Sequence, residues 1–343
     1  MHKTKNFPCW LIVVASAFVW ITVAEQPARA DDSFDIRPHW TVGQRYYIEF
    51  EWKNNIDYIG ADLPEEARSR SWSTTDGWWQ EVESISSNGT TRIVITLERL
   101  AASYGEDPSQ NYDSDLDDRS GETSVMGAAY RELLGKSMTM EVDAEGKLVS
   151  LTGIKAHLDA AARKLRNNPY VSYLQEAQND DHFQFLQEQL LAMYAFGPKK
   201  VGETWARRFA HDEFDFHWEF ELESKENLNG RTGLAIAYES QSLADDDAAE
   251  GEDAKPAGKD PGEVTGQAFY DIERGLITFG VEFDRGEDVL DVVPQGQQSP
   301  VKIRAISKGE QTLRCMTVEE RRQAAEANRK KGKAASRPAE QTG

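Results

Sequence analysis

The chain has 343 residues, of which 29% are charged and 39% are hydrophobic, and its formal net charge is −20 at pH 7. This composition fits a globular protein and argues against a disordered chain or a protein with several membrane spans. Because the acidic balance repels phosphate backbones, nucleic-acid binding is not expected. The two cysteines, Cys9 and Cys315, are too few for a disulfide framework.

The N-terminus has the pattern of a secretory signal peptide. Two lysines precede an apolar run over residues 11–23, and Ala28-Arg29-Ala30 fits the small-residue cleavage pattern. The run is shorter than the roughly 20 apolar residues that a spanning helix needs. We therefore predict a signal peptide over 1–30, cleavage after Ala30, export to the periplasm or the extracellular space, and no stable membrane insertion afterwards.

The mature chain is dominated by strands in which apolar and polar residues alternate. Such alternation is typical of antiparallel sheets with one buried face. The apolar sets are Tyr46, Ile48, Phe50 and Trp52; Ile93, Ile95 and Leu97; Met138, Met140 and Val142; Phe214, Phe216, Trp218, Phe220 and Leu222; and Phe279, Val281 and Phe283. The pairs Asn88-Gly89 and Asn229-Gly230 lie between such runs and predict hairpin turns.

The segment 153–197 breaks this alternation. Its apolar residues recur at helical spacing and predict two helices, with a break near residues 179–181 or at Pro169. The second helix carries an apolar stripe that includes Leu186, Leu190 and Tyr194. The stripe must be buried, so the helix either fills the concavity of the sheet or covers part of it and leaves a cavity.

The strand regions on either side of this segment share short sequence patterns. Val42-Gly43 and Val201-Gly202 each precede an aromatic residue, both regions contain an Asn-Gly turn, and each closes on an acidic turn with glycine. The order is kept, which predicts an internal duplication. Convergence of hairpin chemistry is the alternative. The predicted organisation is a first β-rich repeat over 31–152, a helical segment over 153–197, a second repeat over 198–316 and a disordered tail over 317–343.

The V-G-x-x-aromatic opening, the Asn-Gly hairpin, the element Tyr112-Asp113-Ser114 and the late D-x-x-G-x-L turn resemble a family of exported bacterial β-rich proteins, a domain of unknown function. The resemblance covers about 42–284. It implies a β-rich exported protein and carries no catalytic residues.

Each repeat also contains an acidic insertion, and the second, 244–263, is predicted to be a mobile loop because it has little apolar surface to bury. In the first insertion, Asp113, Asp115 and Asp117 alternate as in a calcium loop, but the glycine and glutamate of that motif are missing. The alternatives are a looser calcium site and a solvated acidic loop.

Two further constellations have functional and structural interpretations. Asp215, His217 and Glu219, with His211 nearby, have the spacing of zinc ligands, but an exposed strand face also looks polar. Trp78 and Trp79 point to opposite faces of a strand, so one of them is expected to be exposed or to cover a cleft.

No nucleophile motif, phosphate loop or cofactor motif is recognisable, and Cys315 has no activating partner in the sequence. We therefore assign no catalytic, cofactor-binding or metal-binding residue. We predict a mainly β protein of the α+β type, with antiparallel curved sheets in two related halves and a helical segment between them. The expected function is non-enzymatic binding of an envelope ligand or protein in the sheet concavity. The alternatives are a cell-envelope hydrolase and an interaction protein acting through its acidic loops. The sequence does not indicate the oligomeric state.

Overall fold

The computed structural model describes residues 32–60, 68–104, 111–116, 125–177, 179–211, 214–243, 259–292 and 301–335. The predicted signal peptide lies outside these ranges. So does most of the predicted loop 244–263, except that residues 259–263 begin a strand. The prediction of a mainly β, antiparallel fold with helices is confirmed.

The described elements run in the following order along the chain. The strands are β1 Ser33–Asp35, β2 Arg45–Ile59, β3 Ser69–Ile85, β4 Thr91–Tyr104, β5 Asn111–Asp113, β6 Ser137–Val142, β7 Leu148–Thr152, β8 Pro198–Lys200, β9 Thr204–His211, β10 Phe214–Leu228, β11 Arg231–Leu243, β12 Lys259–Asp271, β13 Leu276–Val292 and β14 Val301–Met316. The helices are α1 Val125–Leu133, α2 Ile154–Lys164, α3 Pro169–Ala177, α4 Asp180–Ala192 and α5 Val318–Ala335, with a 3-10 turn at Ser114–Leu116.

One long antiparallel sheet contains nearly all the strands. Its order is β7-β6-β4-β3-β2-β14-β13-β12-β11-β10-β9, and β5 pairs with β4. Strands β1 and β8 form a separate two-stranded ribbon. The last strand of the chain, β14, pairs with β2 on one side and β13 on the other, so it joins the two halves of the sheet.

Both halves begin with the same turn. Gly43 and Gly202 have φ angles of 82° and 85°, which side chains rarely tolerate. Their N–H groups donate to the carbonyls of Val82 and Leu222, each at 2.8 Å. In both halves the strand register shifts directly after that carbonyl.

The helices of the central segment lie against the concave face of the sheet, which we call the inner face. Three helices form where two were predicted, because the chain breaks at both proposed sites. Asn168 caps α3 by accepting from Tyr170 N at 2.9 Å, and Asn179 caps α4 by accepting from His182 N at 3.0 Å. A further helix, α1, follows the first acidic insertion and was not predicted.

The apolar stripe of α4 is buried as predicted. Phe183, Leu186 and Leu190 belong to the same hydrophobic cluster as Ile48 and Trp78 of the sheet. Helix α4 contacts both β7 and β9, the two end strands of the sheet. The sheet therefore curls around the helices until its free edges meet the same helix.

Helix α5 occupies residues that were predicted to be a disordered tail. Thr317 and Glu320 form a capping box: Glu320 N donates to Thr317 Oγ1 at 3.2 Å, and Thr317 N donates to Glu320 Oε2 at 2.8 Å. The helix packs on the outer face of the sheet, against β2, β14 and the 3-10 turn. No helix in the described part of the chain is both long and apolar enough to cross a membrane.

Candidate functional site

The inner face divides into an apolar part, which the helices cover, and a polar part further along the strands. In the apolar part, Ile48, Trp78 and Leu97 lie side by side on β2, β3 and β4. Further along the same face, polar side chains that are buried or, for Asn54, partly buried replace the aliphatic ones. We call this set the polar belt: Asn54, Asp76, Ser240, Glu282 and Gln311.

Among the described residues, four members of the polar belt have a buried oxygen without a hydrogen-bond partner: Asn54 Oδ1, Asp76 Oδ1, Ser240 Oγ and Gln311 Oε1. Three of these atoms, those of Asn54, Asp76 and Gln311, lie on the adjacent strands β2, β3 and β14. Asp76 is 8% exposed and Gln311 is 4% exposed. A buried acceptor without a partner costs about 1–3 kcal/mol, so three on one face of neighbouring strands are unusual for a packed core.

The strand register places these three acceptors around Trp52. Gln311 is the direct cross-strand neighbour of Trp52 on β14, and Asn54 is two residues along β2. Asp76 lies diagonally across, because it pairs with Phe50 and Trp52 pairs with Thr74. Neighbours of these kinds are roughly 5–8 Å apart in a sheet. The side chain of Trp52 itself is partly exposed.

The second half of the sheet adds a carboxyl group to the polar belt. Glu282 pairs with Gln311, and the hydroxyl of Tyr238 donates to Glu282 Oε2 at 3.4 Å. The Tyr238 ring reaches Glu282 because it crosses over Gly266, where any side chain would overlap the ring. On the next row, Asp284 accepts a hydrogen bond from Trp52.

The two buried carboxyl groups hold protons near neutral pH. Burial raises the pKa of Asp76 to about 7. Burial and the nearby charge of Asp284 raise the pKa of Glu282 to about 8, although the hydrogen bond from Tyr238 acts in the other direction. Both groups therefore change charge in response to a ligand or to a small change in pH.

Sequence reasoning missed Glu282 because the predicted face of β13 was wrong. Phe279, Val281 and Phe283 were expected on the buried face, but they lie on the outer face and Phe283 is 51% exposed. The inner positions are Gly280 and Glu282, opposite Leu313 and Gln311. Asp76 could have been found from the alternation that places it on the same face as Trp78.

The proposed calcium loop is part of an ion-pair network instead. Arg99 contacts Asp113 Oδ2 at 2.9 Å and Asp115 Oδ2 at 3.4 Å. Arg321 of α5 contacts both oxygens of Asp115, at 2.6 and 2.9 Å. Burial acts to raise the pKa of Asp115, but the two arginines outweigh it and the pKa is lowered. The solvated-loop alternative is also wrong for Asp115, which is 5% exposed, and Asp117 lies outside the described residues.

The proposed zinc ligands do not form a site in the described part of the chain. His217 Nε2 lies 3.2 Å from Glu219 Oε1 on the outer face of β10. The side chains of His211 and Asp215 lie outside the described set. Among described residues, no group of three His, Cys, Asp or Glu side chains has the arrangement of a metal site.

Cys315 is buried, and burial raises its pKa to about 12, so it remains a thiol and a poor nucleophile. The expectation that Trp78 or Trp79 would be exposed is wrong, since both are buried. Trp79 is covered on the outer face by Arg45, whose guanidinium lies 4.5 Å from the ring centre, and by Tyr47.

Comparisons with known proteins place the chain by sequence and give a distant structural likeness. A family described as "Family of unknown function (DUF6263)" matches residues 88–277. No curated protein matches the chain. A solved structure titled "Lipid-protein interactions in lipovitellin" aligns with 81% of this chain at 11% identity and a TM-score of 0.41. The chain spans 25% of the length of that structure.

Proposed function

We propose a function for this chain, which belongs to the family of unknown function DUF6263: it is an exported protein that binds a small organic ammonium ion at the polar belt. The observation that carries the proposal is the set of three acceptor oxygens without partners around Trp52. An ammonium group has three N–H donors and no acceptor, so it matches an acceptor-rich surface.

The aromatic and acidic groups support the same ligand chemistry. A cation is attracted to the face of an indole ring, here Trp52, by up to about 2 kcal/mol when the site is desolvated. The ligand charge would favour ionisation of Asp76, which then becomes its charged hydrogen-bond partner. A net charge of −20 also concentrates cations near the protein.

Calorimetry with putrescine, and with n-butanol as the uncharged comparison, tests the proposal on the mature chain. We expect putrescine to bind and n-butanol not to bind. Because Asp76 is mostly protonated at pH 6, binding should release about one proton there and none at pH 9. Titration in two buffers with different ionisation enthalpies measures that proton.

Substitutions in the polar belt identify the site. Asp76→Asn should weaken putrescine binding at least tenfold and remove the proton release, and Gln311→Leu should weaken binding without removing it. Asp57→Asn is the matched control, because Asp57 is exposed on the outer side of β2. The proposal is wrong if putrescine does not bind, or if it binds Asp76→Asn as tightly as the unchanged protein.

The two alternative functions have less support in the described residues. A hydrolase needs a general base or nucleophile near the ligand, and the described side chains beside Trp52, on its own row and the next, include no histidine. An interaction protein acting through acidic loops would need free carboxylates, but Asp113 and Asp115 are paired with arginines.

Export and internal duplication belong to the same proposal. The signal pattern over 1–30 supports export, and mass measurement of the purified protein should give an N-terminus at Asp31. The matching turns at Gly43 and Gly202 support duplication. The polar belt contains residues from the strands before and after the helical segment. The proposed site would therefore form only after the two copies had become parts of one sheet.

A further inference from the structure

A cleft separates the two free edges of the sheet. Strands β7 and β9 end the sheet and do not pair with each other, and α4 lies beneath the gap. The cleft has a volume of about 530 Å³, within the range of small-molecule sites. We call it the edge cleft, and its lining includes Gly146, Leu148, Leu191, Ala192, Ala206 and Arg207.

Arg207 is an unusual residue for such a cleft. It lies on the inner face of β9, opposite the buried Trp218, and is partly buried. Its guanidinium faces the ring of Phe196 at 5.9 Å, and no carboxylate among the described residues pairs with it. Desolvation lowers the pKa of Arg207. A partly buried cation without a counter-charge is costly, and an anion bound beside it would offset that cost.

Phe196 holds the two sides of the edge cleft together. Its ring packs on Gly146 in the turn between β6 and β7, where any side chain would overlap it. The same ring contacts Arg207 on β9. On the β9 side, Trp205 Nε1 donates to the carbonyl of Ala192 at the end of α4, at 3.2 Å. Arg207 is therefore presented in a preformed cleft rather than on a mobile edge.

Beside Arg207, the edge cleft has apolar side chains as well as the charged Glu145, Lys147, Glu188 and Arg208. Leu191 and Ala192 of α4 are buried beneath it, and Leu148 and Ala206 line the two edges. From the partly buried arginine beside this apolar surface, we infer that the edge cleft binds an alkyl carboxylate, with the carboxylate on Arg207 and the chain on Leu148 and Leu191. This site is separate from the polar belt and takes a ligand of opposite charge.

Binding of laurate below its micelle concentration, measured by calorimetry, tests the inference, with dodecanol as the uncharged comparison. The unchanged protein should bind laurate at least tenfold more tightly than dodecanol. Arg207→Gln should lose that preference, because the only change is the charge that pairs with the carboxylate. Arg163→Gln, an exposed arginine on α2 outside the edge cleft, should keep it.

A second variant separates a binding defect from misfolding. Ala206→Glu adds a carboxylate at an exposed position in the lining and should abolish laurate binding while the circular dichroism spectrum is unchanged. The inference is overturned if laurate does not bind, or if Arg207→Gln keeps the preference over dodecanol. Because Asp76→Asn should bind laurate normally and Arg207→Gln should bind putrescine normally, failure at one site is distinguishable from failure at the other.

Discussion

Two carboxyl groups, those of Asp76 and Glu320, make the stability of the folded protein depend on pH in opposite directions. Asp76 has a pKa of about 7 in the folded protein against 3.8 when unfolded. Between these values the folded state holds a proton that the unfolded state releases, so stability falls as pH rises from about 4 to 7. Glu320 behaves in the opposite way. Burial acts to raise its pKa, but hydrogen bonds from Arg274, Thr317 and Arg231 lower it to about 2, so stability is lost as pH falls below about 4.5.

Asp76→Asn should remove the loss of stability between pH 4 and 7. A pKa difference of about three units corresponds to a free energy of unfolding on the order of 4 kcal/mol. The variant should match the unchanged protein near pH 4 and exceed it at pH 8, as measured by urea unfolding at several pH values. Asp57→Asn is the control and should follow the unchanged protein throughout. Equal slopes for Asp76→Asn and the unchanged protein would contradict the assignment.

For single residues, the sequence predicts which side chains lie on the buried face of a strand better than it predicts which of the buried side chains are polar. Alternation placed Tyr46, Ile48 and Phe50 correctly on the buried face. It failed for Phe283, because the inner side of β13 carries Gly280 and Glu282 and hydrophobicity alone favoured the other side. The unpartnered oxygens of the polar belt depend on which strands are neighbours, and that order is not contained in any local pattern.

Among the elements, helix α4 contributes the side chains that bury the apolar part of the inner face. Leu190 is 6% exposed and lies in the central hydrophobic cluster. We expect Leu190→Asp to unfold the protein, because it buries an unpaired charge, and Leu190→Ala to cost about 2–5 kcal/mol. Gln184→Asp adds the same charge to an exposed position of α4 and should remain folded. A folded Leu190→Asp protein with increased binding of a hydrophobic dye would show that α4 is a movable lid.

One of the contacts that attach helix α5 to the outer face is made by a buried arginine, Arg321. Arg321 pairs with Asp115 and its guanidinium lies 4.6 Å from the ring centre of Tyr47. Arg321→Met should cost about 3–5 kcal/mol in urea unfolding, because it leaves Asp115 buried without one of its cations. Arg322→Met, which removes only an exposed pair with Glu319, should leave the urea midpoint nearly unchanged. Equal losses in the two variants would mean that α5 is not docked through Arg321.

Cap residues and prolines in the sequence predict where helices begin and end, but they do not predict the distant contacts that a helix makes. The cap residues Asn168 and Asn179 and the proline at the start of α3 were visible in the sequence, although only one break was expected there. The Thr317–Glu320 capping box was equally visible, but the charged composition after it suggested disorder. Arg321, near the start of α5, pairs with Asp115, which lies 206 residues earlier in the chain and could not be recognised as its partner from local sequence.

Over the whole molecule, the strands before and after the helical segment form one sheet, and the strand that joins these two sets was not anticipated. β14 follows the second set in sequence and pairs with β2 of the first set over thirteen residue pairs, from Arg304–Ile59 to Met316–Tyr47. The core is continuous across this junction. Tyr194 of the helical segment, for example, accepts a hydrogen bond from Ile277 N of β13 at 2.9 Å.

This connectivity predicts that the two halves unfold together. Without β14 and β13, residues 31–197 would expose the fifteen-residue edge of β2, and part of the apolar cluster would lose its partners. We expect that fragment to aggregate or remain unfolded when it is expressed alone. The mature chain should show one urea transition, with coincident midpoints by tryptophan fluorescence and far-ultraviolet circular dichroism. Two separated transitions, or a soluble and folded 31–197 fragment, would mean that each half is an independent domain and that β14 only links them.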